Sequence, residues 1–194
     1  MKYLISGTDR PGSRTRAVCE VIQRIYRGLG EDIEIIDLAN LGLQNLTGAL
    51  YGSANLPEAV SAAIERVNRA EALIIVCPEY NGSMPGALKF FIDFWKYPES
   101  FESRPVAFVG LGGRFGGLRP VEHLQGVFGY RNAYIFPIRV FIMDVWNTLK
   151  DGQIQDSRIM ALLEDQAKGF RKFVRALQAE KLDANSVLES VKRS

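Results

Sequence analysis

Apolar residues fall along this chain in two alternating patterns. Short, largely β-branched runs occur at Tyr3-Leu4-Ile5, Ile33-Glu34-Ile35-Ile36, Ala72-Leu73-Ile74-Ile75-Val76-Cys77, Val106-Ala107-Phe108-Val109 and across residues 133–142. The third and fourth are apolar almost throughout, as strands covered on both faces are. Between the runs, apolar positions recur every three or four residues: Ala17, Val18, Val21, Ile22 and Ile25; then Val60, Ala63, Ile64 and Val67; then Leu88, Phe91, Ile92 and Trp95; then Val121, Leu124, Val127 and Phe128. That period lines one face of a helix. Adjacent parallel strands need a crossover of about a dozen residues or more, which a helix supplies, so the alternation predicts an α/β chain with helices on both faces of a parallel sheet.

A last helix is predicted over residues 156–181, with Ile159, Leu162, Leu163, Ala167, Phe170, Phe173, Val174 and Leu177 at three- and four-residue spacing, packing back on the sheet. Residues 1–182 then read as one domain, and residues 183–194 as a polar tail or a short extra helix, since Val187, Leu188 and Val191 persist there. No internal repeat, low-complexity tract or Pro/Ser-rich linker interrupts the chain.

Composition narrows the classes. With 194 residues and 47% apolar content, the chain can bury one substantial core. Lys and Arg total 24 against 22 acidic residues, a formal charge of +2, which sets up no field for nucleic acid or an anionic membrane surface. Cys19 and Cys77 lie far apart, with no C-x-x-C pair or His cluster, so they read as small buried apolar residues rather than a metal or redox pair. No charged leader with an apolar core precedes the first strand and no apolar run reaches membrane length, so a soluble cytoplasmic protein is expected.

In open parallel sheets, ligands lie beyond the carboxyl ends of the strands. The loops over residues 7–16, 78–85 and 110–117 occupy those positions. The first resembles a triphosphate loop, G-x-x-x-x-G-K-[ST], without completing it: Gly7 and Gly12 keep the spacing, but Ser13 stands where the Lys belongs and Arg14 where the hydroxyl belongs. The dinucleotide pattern G-x-G-x-x-G fails at Asp9. What remains is a helix start with Ser13, Thr15 and the guanidinium groups of Arg10, Arg14 and Arg16 nearby. Such a start suits the terminal phosphate of a mononucleotide. A purely structural alternative is that Ser13 caps the helix and the arginines face solvent.

The second loop, Pro78-Glu79-Tyr80-Asn81-Gly82-Ser83-Met84-Pro85, forces a tight turn that presents successive backbone N–H groups before the next helix. The stretches "PEYNGSMPGALKFFIDF", "GTDRPGSRT" and "GLGGRFGGLRPVEHL" together resemble the NAD(P)H-dependent FMN reductase family of flavodoxin-like proteins, which includes quinone, azo-dye and chromate reductases. The resemblance covers about the first three quarters of the chain in matching order and spacing.

It implies a flavodoxin-like three-layer sandwich with a five-stranded parallel sheet in the order 2-1-3-4-5. The family's opening motif, Gly-Ser-x-Arg-x-x-Ser-x-Asn, binds the flavin phosphate. Gly7, Arg10 and Ser13 match it, Thr8 replaces the Ser and Thr15 replaces the Asn, with Arg14 beside them. Asp9 is expected to point into solvent or to pair with Arg10. The resemblance places Pro78, Glu79, Tyr80, Asn81, Gly82 and Ser83 along the flavin ring, with Gly112 and Gly113 on its other side, although glycines after a strand also serve simply to make a tight turn.

The chemistry so implied is hydride transfer from NADPH or NADH to FMN N5, then electron delivery to a quinone, azo dye, flavin or similar acceptor by ping-pong exchange. Backbone N–H groups of Tyr80, Asn81 and Gly82 would favour the reduced ring, and no side chain is assigned as a catalytic acid or base. His123 reads as an ordinary surface or packed residue, and no metal is implied. Glu79 and Lys89 are candidates for a subunit contact, because similar proteins are homodimers or homotetramers. Phe91 and Trp95 are expected to face the sheet, leaving Phe90, Phe94 and Tyr97 for an interface. Two other readings stand beside the enzyme: an FMN electron carrier without a nicotinamide site, and a cofactor-less interaction module. Near-neutral charge and Arg10 favour the reductase over the carrier, and the intact second loop argues against the module.

Overall fold

Four of the five predicted apolar runs become single strands, and those at the centre of the sheet are flanked by apolar strands on both sides. In the computed structural model, which describes residues 1–46 and 56–193, β1 (Lys2–Ser6) lies between β2 (Ile33–Asp37) and β3 (Ala72–Pro78), and β4 (Pro105–Leu111) follows β3. All these pairings are parallel, with Ile5 opposite both Ile36 and Ile75, and Ile75 opposite Phe108. The strand order is the predicted 2-1-3-4-5.

Side chains alternate across the sheet and build two cores. Leu4, Ile74, Val76, Ala107 and Val109 face α1 (Arg14–Gly28) and α6 (Ser157–Ala179). Ile5, Leu73, Ile75, Val106 and Phe108 face α2 (Glu58–Arg69), α3 (Gly86–Asp93) and α4 (Leu118–Tyr130). Phe91 and Trp95 belong to this second core, where Trp95 meets Phe91, Phe101 and Phe128 at ring-centroid distances of 5.4–5.9 Å. Cys19 and Cys77 are both fully buried, as expected of small apolar residues.

The fifth strand departs from expectation. Residues 133–142 do not run as one strand: β5 (Tyr134–Ile135) and β6 (Val140–Ile142) both pair with β4, separated by an irregular stretch. Ile135 sits opposite Val106 and Val140 opposite Val109, so five steps on one side span three on the other. Pro137 has no N–H to donate to the ladder, and the extra length bulges out. Gln166 of α6 closes the gap, its Nε2 donating to Phe108 O at 2.9 Å and Ile138 O at 2.8 Å.

Four further features carried no sequence signal strong enough to predict: two 3₁₀ turns, Leu38–Asn40 and Leu43–Leu46; a single-turn helix, α5 (Val145–Thr148); and a small hairpin, β7 (Leu149–Lys150) with β8 (Gln153–Ile154). The tail forms α7 (Ala184–Arg193), and Ser194 lies outside the described residues. Asp183 caps α7 through the amides of Asn185 and Ser186. The fully buried Arg104 anchors it, donating to Asn185 Oδ1 at 3.2 Å, Asn68 O at 2.7 Å and Glu99 O at 2.6 Å. Burial lowers the Arg104 guanidinium pKa to about 10, with nearby Asp183 opposing the shift.

Candidate functional site

The carboxyl ends of β1, β3 and β4 open onto a cleft of about 240 Å³. Its first wall is the turn from β1 into α1, where residues 10–15 all line the space. Ser13 does cap α1, accepting from the Arg16 amide at 3.2 Å. Capping leaves other donors unused, because the first amides of a helix have no carbonyl one turn back. The N–H groups of Ser13, Arg14 and Thr15 have no partner within the protein among the described residues.

The three arginines separate into two roles. Arg16 is held by Glu20 at 3.1 Å, with Asp37 at 4.0 Å, on the helix flank. Arg10 and Arg14 are exposed and form no ion pair among the described residues, so two guanidinium groups stand at the cleft without a counter-charge. Asp9 is exposed and turned to solvent, one of the two outcomes expected for it. Thr8 lies beneath the turn, fully buried, its hydroxyl 3.0 Å from the Tyr80 hydroxyl and accepting from the Arg10 amide at 3.3 Å. It therefore fixes two cleft residues instead of lining the cleft itself.

Pro78, Glu79 and Tyr80 bring the second loop to the cleft. Beyond them, Tyr80 and Ser83 exchange backbone hydrogen bonds at 2.9 and 3.1 Å around a two-residue turn. Asn81 and Gly82 occupy its centre at φ 51° and 77°, the positive-φ pair that an Asn-Gly hairpin turn requires. This changes the expected donor set: the Tyr80 N–H is taken by Ser83 O and the Glu79 N–H by Leu111 O, while the Asn81 and Gly82 amides stay unpaired among the described residues. Asn81, Gly82 and Ser83 lie outside the cleft lining. Ser83 Oγ is 2.9 Å from His123 Nδ1, so His123 is an exposed residue that ties the turn to α4.

From the end of β4 come Leu111, Gly112 and Gly113. Both glycines sit close to their neighbours: a Cβ on Gly112 would reach ordinary contact, 3.4 Å, with Glu79 Cβ, and one on Gly113 would crowd the Trp146 ring at 3.1 Å. Glu79 is neutralised by Arg119, whose Nη1 lies 2.8 Å from its Oε1 and whose guanidinium covers the Phe115 ring at 4.1 Å. Lys89 pairs with Asp93 at 2.5 Å one turn along α3. Val145 and Trp146, at the start of α5, complete the lining. Sequence reasoning missed both, and the one available signal was a tryptophan four residues past the carboxyl end of β6. Among the described residues, no cluster of His, Cys, Asp or Glu is placed to hold a metal, and no helix is long and apolar enough to cross a membrane.

A parallel sheet of this order, with a donor-rich helix start and two turns converging beyond its strand ends, defines a flavodoxin-like α/β protein. A solved flavodoxin from the domain Archaea overlays with a TM-score of 0.60 at 14% identity, covering 90% of this chain and 99% of the other. Residues 3–148 match the family model described as NADPH-dependent FMN reductase. The chain belongs to that family of NAD(P)H-dependent oxidoreductases. It is 31% identical over 180 residues to an NAD(P)H-dependent FMN reductase of Pseudomonas aeruginosa, covering 90% of this chain and 95% of the relative. It is also 32% identical over 129 residues to an NAD(P)H:quinone oxidoreductase of Solanum tuberosum, covering 64% and 66%.

Proposed function

We propose that the cleft binds FMN, its phosphate on the start of α1 and its ring over the ends of β3 and β4, and that the enzyme passes electrons from NADPH or NADH to a small-molecule acceptor of the quinone type. The observation that carries this reading is the first wall of the cleft. Three unpaired amides, the Ser13 and Thr15 hydroxyls and two guanidinium groups without counter-ions are all available at one turn, and every charge among them is positive. That donor set fits a dianionic phosphate monoester. It lacks the Lys that a triphosphate loop would use.

When bound, FMN supplies the redox chemistry, taking two electrons from the nicotinamide at N5 and yielding them to the acceptor. The chain's own residues supply place and field. Thr8 holds the Tyr80 hydroxyl, and the Asn-Gly turn fixes the backbone of Glu79 and Tyr80 beside the ring position. Arg119 offsets the Glu79 carboxylate, which would otherwise oppose negative charge developing in the cleft. Gly112 and Gly113 let Glu79 and the Trp146 ring pack close to backbone at the opposite border of the cleft. If nicotinamide and acceptor share one exposed face of the flavin, they bind in turn, and parallel-line kinetics are expected. The quinone-type acceptor is favoured by the Solanum tuberosum relative's named activity, and a homo-oligomeric assembly fits the same reading.

The test is an FMN titration of the Arg10→Ala, Ser13→Ala double variant. Removing one charge-assisted and one neutral hydrogen bond predicts a loss of about 2–4 kcal/mol, or roughly 30- to 1000-fold in Kd. This loss, with a melting temperature lowered by no more than removal of the Ser13 cap accounts for, supports the assignment. Unchanged affinity would place the phosphate elsewhere.

A further inference from the structure

Trp146 stands apart from every other tryptophan and phenylalanine that lines a cavity here. Its side chain is 56% exposed, and among the described residues no aromatic ring packs against it. An indole that only filled space would be buried, as Trp95 is at 7% exposure. Yet Trp146 is held firmly. The Val145 amide donates to Gly112 O at 3.1 Å and the Asp144 amide to Gly113 O at 2.9 Å, with Asp144 in the left-handed region at φ 45°. Through these bonds the start of α5 is clamped onto the Gly112-Gly113 turn, and the indole lies over the bare Cα of Gly113.

Its position within the cleft follows from strand order. From the phosphate turn at the end of β1, the sheet runs through β3 and β4 to β6, which leads into Trp146. Three strand spacings of about 4.8 Å put the two ends of the cleft roughly 14 Å apart. A mononucleotide anchored by its phosphate at one end carries its flat ring towards the other.

We infer that Trp146 is a ring-stacking residue of the cleft, its indole forming the wall against which the planar flavin ring packs. The inference rests on the proposed FMN site and adds to it a residue from β6 and α5, beyond the three loops. Indole and flavin are both large planar surfaces, and such contacts add to binding beyond the area they cover.

The experiment compares native protein with Trp146→Ala and Trp146→Phe in FMN titrations, reading both Kd and the emission of the bound flavin, which an indole in van der Waals contact quenches. Because the side chain is exposed, both variants keep the native unfolding temperature. The expected result is a 2- to 10-fold weaker Kd for Trp146→Ala, the range set by aromatic pair energies, with a several-fold rise in bound-flavin emission. Trp146→Phe retains most of the affinity and also gains emission. Unchanged emission in Trp146→Ala overturns the inference whatever the affinity does, and leaves the FMN site standing. Native protein that fails to bind FMN overturns the FMN site and the inference together.

Discussion

Cys77 lies one residue before the cleft and is a tempting redox partner for a flavin, but its surroundings disqualify it. It is fully buried at the end of β3, and burial pushes the thiol pKa well above the ordinary range, as it does for Cys19. Only the thiolate is nucleophilic, so neither sulfur reacts without local opening. Native protein at pH 8 should take up no iodoacetamide on a timescale of minutes, and two equivalents after denaturation, read by intact mass. Uptake of one equivalent by the folded protein would show an accessible thiol and reopen a redox role. Single residues were readable from sequence where the reason for them is local. Ser13 follows from its place before a helix, and Asn81-Gly82 from a turn that only such residues make. The roles of Thr8, Arg119 and Trp146 depend on contacts across 72, 40 and 33 residues of chain. No periodicity encodes contacts of that range.

The crossing of β4 and α4 shows how closely elements approach at the site. Gly117 starts α4 at φ 80°, and a Cβ there would fall 2.5 Å from Leu111 N. Gly110 is confined in the same way, since its Cβ would come within 2.6 Å of Gly117 O. Gly117→Ala combines a left-handed backbone with a clash against main chain, and is expected to cost roughly 2–4 kcal/mol, seen as a lower urea midpoint at unchanged m. A midpoint within error of native would mean that the turn can relax. The third loop's glycines were read from sequence both as a tight turn and as ring contacts. The structure divides those duties, with Gly110 and Gly117 making the turn and Gly112 and Gly113 bordering the cleft. The broken fifth strand was illegible for a related reason. Pro137 hints at an interruption, but the repair depends on Gln166, whose amide acts as a stand-in for the missing ladder donor.

At the scale of the molecule, the two edges of the sheet have different tasks. Strand beginnings gather the polar network that fastens the chain: Lys2 to Glu31 at 2.8 Å, Arg175 to Glu31 at 3.0 Å, the N-terminal ammonium to Glu71, and Arg104 to Asn185 in the first turn of α7. Strand ends gather the cleft. Arg104→Met keeps the apolar stem but leaves Asn68 O and Glu99 O without their donor, and a cost of about 3 kcal/mol should lower Tm by roughly 6–12 °C. FMN affinity at 25 °C should be unchanged, because no Arg104 contact reaches the cleft. Weakened flavin binding in that variant would show that the two edges are coupled. The layered architecture was legible throughout, since it depends only on the alternation of two periods along the chain.

β1 and α7 are both made fast on the side of the sheet remote from the mouth. Neither element therefore constrains the turns that would meet an electron acceptor. Those turns can be recut for a new oxidant, by mutation or by exchange with a relative, while the scaffold keeps its strand register. A family assembled this way can diversify what it reduces faster than how it folds.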